Sequence, residues 1–151
     1  ERICQAVSGM LARIGIKIVP NFQTRQKYFA EILGPGYNTS FYMLGWTPDT
    51  YDAHNMLYNI IGSRGQQGSS QGLFNVGKYS NKRVDELIKL IQVETDKPKR
   101  QAMITEAMKI HQDEVGHIPL HQQTVVWAAR KNIELMQLAD NVFPLRYVKV
   151  Q

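Results

Sequence analysis

Apolar positions in the opening stretch recur at helical spacing. Ile3, Ala6, Val7, Met10, Leu11 and Ile14 follow i, i+3, i+4, i+7 intervals, which predicts a helix with one apolar face. Gly15 stands where a left-handed residue closes such a helix. Ile16, Ile18 and Pro20 then alternate with Lys17 and Val19, predicting a short strand. Thr24 is suited to cap a second helix carrying Tyr28, Phe29, Ile32 and Leu33, and Gly34-Pro35-Gly36 stops it. From Ser40 to Trp46 the residues are apolar and aromatic with no helical stripe, the pattern of a buried strand. Thr47-Pro48-Asp49 breaks that strand, because proline has no N–H to give to a ladder.

Asp52 or Ala53 begins a short helix that runs to Ile61. Gly62 to Gly77 is rich in Gly, Ser and Gln and reads as a long surface loop. Two amphipathic helices follow. Ser80 or Asn81 caps the first, which turns Val84, Leu87, Ile88 and Ile91 inward. Asp96 caps the second, with Pro98 in its first turn and Met103, Ala107 and Ile110 as its apolar stripe. Gly116 and Pro119 end it. Leu120 to Ala129, with Val125, Val126 and Trp127, predicts another strand, and Val142 to Val150 a last one. Helices and strands alternate, so the expected class is α/β, a mixed sheet flanked by helices.

Length and composition fit one globular domain: 151 residues, 43% hydrophobic and 21% charged. There is no apolar run long enough to span a bilayer. A net charge of +5 raises the possibility of an anionic partner. The cations are scattered, however, and their densest group is Lys97, Lys99 and Arg100 beside Asp96. A solvated basic face is the simpler reading, so no nucleic-acid partner is expected; a basic nucleic-acid-binding α/β domain stands as the alternative. Cys4 is the only cysteine, which rules out an intrachain disulfide. Its neighbours Ile3, Ala6 and Val7 favour simple core packing. The chain opens inside a helical pattern with no Met and no cap, and so reads as a piece of a longer protein.

Candidate chemistry is sparse. His111, His117 and His121 cluster in sequence, but their spacing matches neither a zinc-protease helix nor a finger, so no metal site is expected. There is no nucleophile elbow, phosphate loop or dinucleotide fingerprint. Neither enzymatic activity nor a cofactor is expected. The segment Gly45-Trp46-Thr47-Pro48-Asp49-Thr50-Tyr51-Asp52 says more. It places an aromatic ring and a carboxylate at the end of a buried strand, where open α/β sheets hold ligands. Trp46 offers a flat apolar surface with one donor, and Asp49 a negative charge for an ammonium group. The same residues also fit a purely structural role, with Trp46 in the core and Asp49 closing a turn or capping the next helix.

At this segment the chain resembles the family 5 extracellular solute-binding proteins, which include dipeptide and oligopeptide receptors of ABC importers. Leu11-Ala12-Arg13-Ile14-Gly15-Ile16-Lys17 resembles the family's passage into a lobe strand. Gly45-Trp46 with Asp49 and Asp52 resembles its strand-end motif. Asn75, Tyr79-Ser80-Asn81 and Val84-Asp85 resemble a further motif, and Asp96, Lys99-Arg100 and Ile118-Pro119-Leu120 its paired helices and following strand. The resemblance implies a periplasmic or lipid-anchored receptor of two α/β lobes that close on a ligand and deliver it to an inner-membrane ABC permease. It implies that residues 1–139 are the second, C-terminal lobe. Residues 140–151 would return toward a first lobe that this chain lacks. The ligand would be a peptide or similar small amine-bearing solute, though some members take nickel complexes, sugars or opines. The implied ligand-binding residues are Gly45, Trp46, Thr47 and Asp49, with Asp49 pairing to the ligand's α-ammonium group.

Overall fold

The computed structural model describes residues 1–34, 39–65 and 69–151. The chain divides into two units, Glu1–Tyr42 and Met43–Gln151.

Among its described residues the first unit holds two helices. Helix α1 spans Arg2–Ala12, and Gly15 follows with a φ of 83°, the left-handed geometry expected of it. The Ile16 N–H bonds back to the Leu11 carbonyl at 3.0 Å, closing the helix end. None of the α1 residues is buried, and Met10 and Ile14 are largely exposed. Cys4 is half-buried and free. Helix α2 spans Arg25–Leu33; Thr24 caps it, its side chain accepting from the Lys27 N–H, and Ile32 is buried. Of the predicted stop signal, Pro35 and Gly36 lie outside the described residues.

The second unit is built on helices. Helix α3, Ala53–Met56, runs straight into a wide π-type turn, Leu57–Ile61. Helix α4 spans Lys82–Val93 and α5 spans Lys97–Asp113. Asn81 caps α4 by accepting from the Arg83 and Val84 N–H groups. Asp96 caps α5 by accepting from the Lys99 N–H at 2.9 Å. The core joins Leu57 and Ile61 of the wide turn to Val84, Leu87, Ile88 and Ile91 of α4 and to Ile104 and Ala107 of α5. All four residues predicted for α4's inner face are buried. On α5 the inward face is turned slightly: Ile104, Ala107 and His111 are buried, while Met103 and Ile110 pack at the edge.

The loop after the wide turn is not a simple surface loop. Asn75 and Val76 are fully buried. The Asn75 amide donates to the Gly62 carbonyl at 2.9 Å and the Tyr79 carbonyl at 2.7 Å, and its oxygen accepts from the Tyr79 N–H at 3.0 Å. One side chain thus ties the loop's two ends together. Gln66, Gln67 and Gly68 lie outside the described residues.

Where the sequence predicts a mixed sheet flanked by helices, the described residues show helices with a small antiparallel sheet. Among the described residues the sheet has two strands, β1 at Ile133–Glu134 and β2 at Lys149–Val150, paired antiparallel with Ile133 opposite Val150. Segments 16–20, 40–46 and 120–129 are irregular, and of 142–150 only the end forms a strand. The physical reason is pairing. An apolar, β-branched run becomes a strand only where a neighbour accepts its backbone ladder, and none lies alongside these segments among the described residues. The result is a helix-rich chain with a minor sheet.

Candidate functional site

The segment 45–52 is held by the helix that follows it. Asp52 caps α3, its Oδ1 accepting from the His54 N–H at 2.8 Å. That cap fixes Asn55 in the helix's first turn, and Asn55 reaches back in two directions. Its Oδ1 accepts from the Trp46 indole N–H at 2.8 Å, and its Nδ2 donates to Asp49 Oδ1 at 2.7 Å. Asn55's own carbonyl accepts from Asn59 Nδ2 at 2.8 Å, which ties the bridge to the wide turn. The Trp46 ring packs on Phe74, with centroids 5.0 Å apart and planes tilted by 55°. Phe74 is itself anchored by its N–H to the Asn59 carbonyl at 3.1 Å.

The four predicted site residues therefore fall into two groups. Trp46 and Asp49 are joined through one amide; Trp46 is half-buried and Asp49 exposed. Gly45 and Thr47 are exposed, and Gly45 has open space where a side chain would stand. The bend at Asp49, Thr50 and Tyr51 matches the predicted break, and Tyr51 takes a φ of 53° within it. The expected strand before Trp46 is absent, so this site owes its position to a helix start rather than to the end of a sheet.

Behind Asn55 lies an open polar cleft of about 400 Å³, lined in part by Asp52, Asn55, Asn59, Gln92 and Arg100. Arg100 Nη2 meets both Asp52 oxygens, at 2.8 and 3.0 Å, and its Nε donates to the Ile91 carbonyl at 3.1 Å. Burial pushes the Asp52 carboxyl up, but the His54 N–H and the Arg100 guanidinium outweigh it and leave the group below its ordinary value. Asp52 is thus both a helix cap and half of an ion pair. Asn55, Phe74 and the pairing of Arg100 were not foreseen as parts of the site. Asn55 carries a faint local signal, since it lies three residues past a good cap. Phe74 and Arg100 carry none, because they arrive from distant parts of the chain.

The histidines divide differently. His111 and His117 form a direct hydrogen bond at 2.8 Å, while His121 is exposed. Among the described residues no set of three or more His, Cys, Asp or Glu side chains gathers in metal-ligating reach. Among them, too, no helix is long and apolar enough to cross a membrane.

No family model matches the chain, and no solved structure matches it. Curated proteins do. Over 136 residues the chain is 28% identical to the glutathione-binding protein GsiB of Shigella dysenteriae serotype 1 and to that of Escherichia coli strain K12. The alignment covers 88% of this chain and 26% of each relative, so the chain spans about a quarter of their length. Along nearly all of its own sequence, this chain is similar to glutathione-binding proteins.

Proposed function

We propose that this chain forms much of one lobe of a solute-binding receptor that delivers peptides or similar small amine-bearing solutes to an ABC permease. The similarity to glutathione-binding proteins supports the receptor class. The observation that carries the ligand assignment is the Asn55 bridge between Trp46 and Asp49. Asn55 occupies one acceptor site on Asp49 Oδ1, and an ionised carboxylate has about four. The remainder can take an ammonium group, with the Trp46 ring alongside as an apolar wall. Such a charge-assisted contact gains strength when water is excluded, which a second lobe closing over Asp49 would achieve.

In this reading residues 1–139 belong to the ligand-binding lobe and residues 140–151 lead back toward its partner lobe. Segments 40–46 and 120–129, irregular in this chain, would become strands where the rest of the receptor supplies ladder partners. The receptor works outside the inner membrane, in the periplasm or held there by a lipid anchor. Glutathione, which the relatives' name says they bind, carries an ammonium group of the kind Asp49 would take.

The test titrates the receptor containing this chain with glutathione and with a free dipeptide, each against its N-acetylated form. Free amines should bind at least about tenfold more tightly, and Asp49→Ala should cost them about 10- to 100-fold, the worth of a hydrogen bond to a charged group. Equal binding of free and acetylated ligands removes Asp49 from the site. Failure of every such ligand to bind removes the peptide-receptor reading.

A further inference from the structure

At the carboxyl end of α5 two imidazoles face each other. His111 Nε2 lies 2.8 Å from His117 Nδ1, and the ring centroids are 5.0 Å apart. His111 is 8% exposed, and its ring also meets Tyr79 edge-on at 5.1 Å. Tyr79 donates its hydroxyl to Glu114 Oε2 at 2.5 Å, and Asn81 Nδ2 donates to Glu114 Oε1 at 2.8 Å. Since Asn81 caps α4, a polar chain runs from the start of α4 to the end of α5. The backbone fits the same contact. Val115 takes a φ of 51°, turning the chain back, and the Gly116 N–H bonds the His111 carbonyl at 3.1 Å. A Cβ on Gly116 would fall 2.6 Å from His111 Cδ2 and 2.8 Å from Tyr79 Cδ2, so the turn is closed tightly on both rings.

Proton counting makes this contact conditional. The N···N bond needs a proton on one facing nitrogen and a lone pair on the other. One added proton can sit on the outer nitrogen of the donor ring and leave the bond intact. A second must fall on the acceptor ring, and then both facing nitrogens carry hydrogen and repel. The surroundings discourage that second charge. Burial lowers both imidazoles below their ordinary value, and for His111 the charge of His117 lowers it further, with Glu114 opposing. The groups that face the pair include Glu114, just past the end of α5, and Tyr79 before α4, with Asp85 of α4 acting on Tyr79; burial and the Glu114 carboxylate hold Tyr79 protonated.

We propose that the His111–His117 pair is an acid-released clasp: it holds the chain after α5 against that helix while the pair carries at most one charge, and releases it when both rings are charged. The sign follows from linkage. Both folded values are depressed, so the open state binds the extra proton. The clasp is fully closed above the ordinary imidazole value of about 6.5 and loosens as pH falls below it.

The test follows ring ¹⁵N signals of both histidines and amide hydrogen exchange of the protein between pH 8 and about pH 4. The expected result is coupled titration of the two rings below 6.5. Opening at the Gly116 amide, corrected for intrinsic exchange, should rise about tenfold per pH unit through the same window while the α4 core amides stay protected. His117→Gln keeps an acceptor for His111 but cannot titrate. It should raise the His111 midpoint and weaken the acid dependence at Gly116, leaving only the part that burial of His111 supplies. Independent titration of both rings near 6.5 overturns the clasp, as does an unchanged acid dependence in His117→Gln. Should that variant fail to fold, the wild-type ring titration alone decides.

Discussion

Replacing Asp52 with alanine removes two supports together. The side chain caps α3 through the His54 N–H and receives the Arg100 guanidinium on both oxygens. Loss of a good N-cap costs about 1 kcal/mol. The ion pair is partly open to water, with side chains 25% and 37% exposed, so screening limits it to about 0.5–1 kcal/mol. The expected cost of Asp52→Ala is therefore about 2 kcal/mol, which at an m-value of about 2 kcal/mol/M lowers the urea midpoint by about 1 M. Asp52→Asn separates the two contributions, because asparagine caps about as well as aspartate; it should lose only about 0.5–1 kcal/mol. A cycle with Arg100→Met should return a coupling of the same size, the bond to the Ile91 carbonyl cancelling between its arms. The carboxyl's folded value is depressed, so its contribution is complete above the unfolded value of about 3.9 and disappears as pH falls below it. Below pH 4 the wild type and Asp52→Asn should converge. An Asp52→Ala midpoint within about 0.2 M of wild type, or a coupling of zero, would refute the reasoning.

The core and the loop tie give two further expectations. Leu87→Ala empties a side chain that is 1% exposed at the α4–α5 seam and should cost about 2–5 kcal/mol in chemical denaturation. Asn75→Ala strands the Tyr79 N–H and the Gly62 and Tyr79 carbonyls. It should cost about 2–4 kcal/mol and raise hydrogen exchange at the Tyr79 amide, whereas a loop without that tie would show neither change.

The helices were legible because their signals are local. Thr24, Asn81 and Asp96 each stand before a stripe of apolar residues, and each caps the helix it precedes. Asp52 announced α3 in the same way, and Pro48 announced the break ahead of it. Strands depend on a neighbour, and the sequence of one segment does not say whether its neighbour is present. That is why 40–46 and 120–129 read as strands and run without a ladder. The site shows the same division. Trp46 and Asp49 stood out as residue types near a predicted turn, but Asn55, which joins them, looked like ordinary helix. The histidines show it again: a spacing that fits no metal motif still brings His111 and His117 into contact, because Val115 and Gly116 reverse the chain between them.

The wide turn at Leu57–Ile61 has a consequence for the geometry ahead of it. Its closing bond runs from the Gly62 N–H to the Leu57 carbonyl at 2.7 Å, five residues back instead of four. That surplus residue acts as a rotational spacer. Leu57 and Ile61 are both locked into the core, so shortening the turn by one residue would swing the preceding helix by about 100° around its axis. Asn55 would then point away from the indole and the carboxylate that it now connects. The azimuth of the whole Trp46–Asp49 arrangement is thus dialled in by a single backbone insertion that touches neither residue.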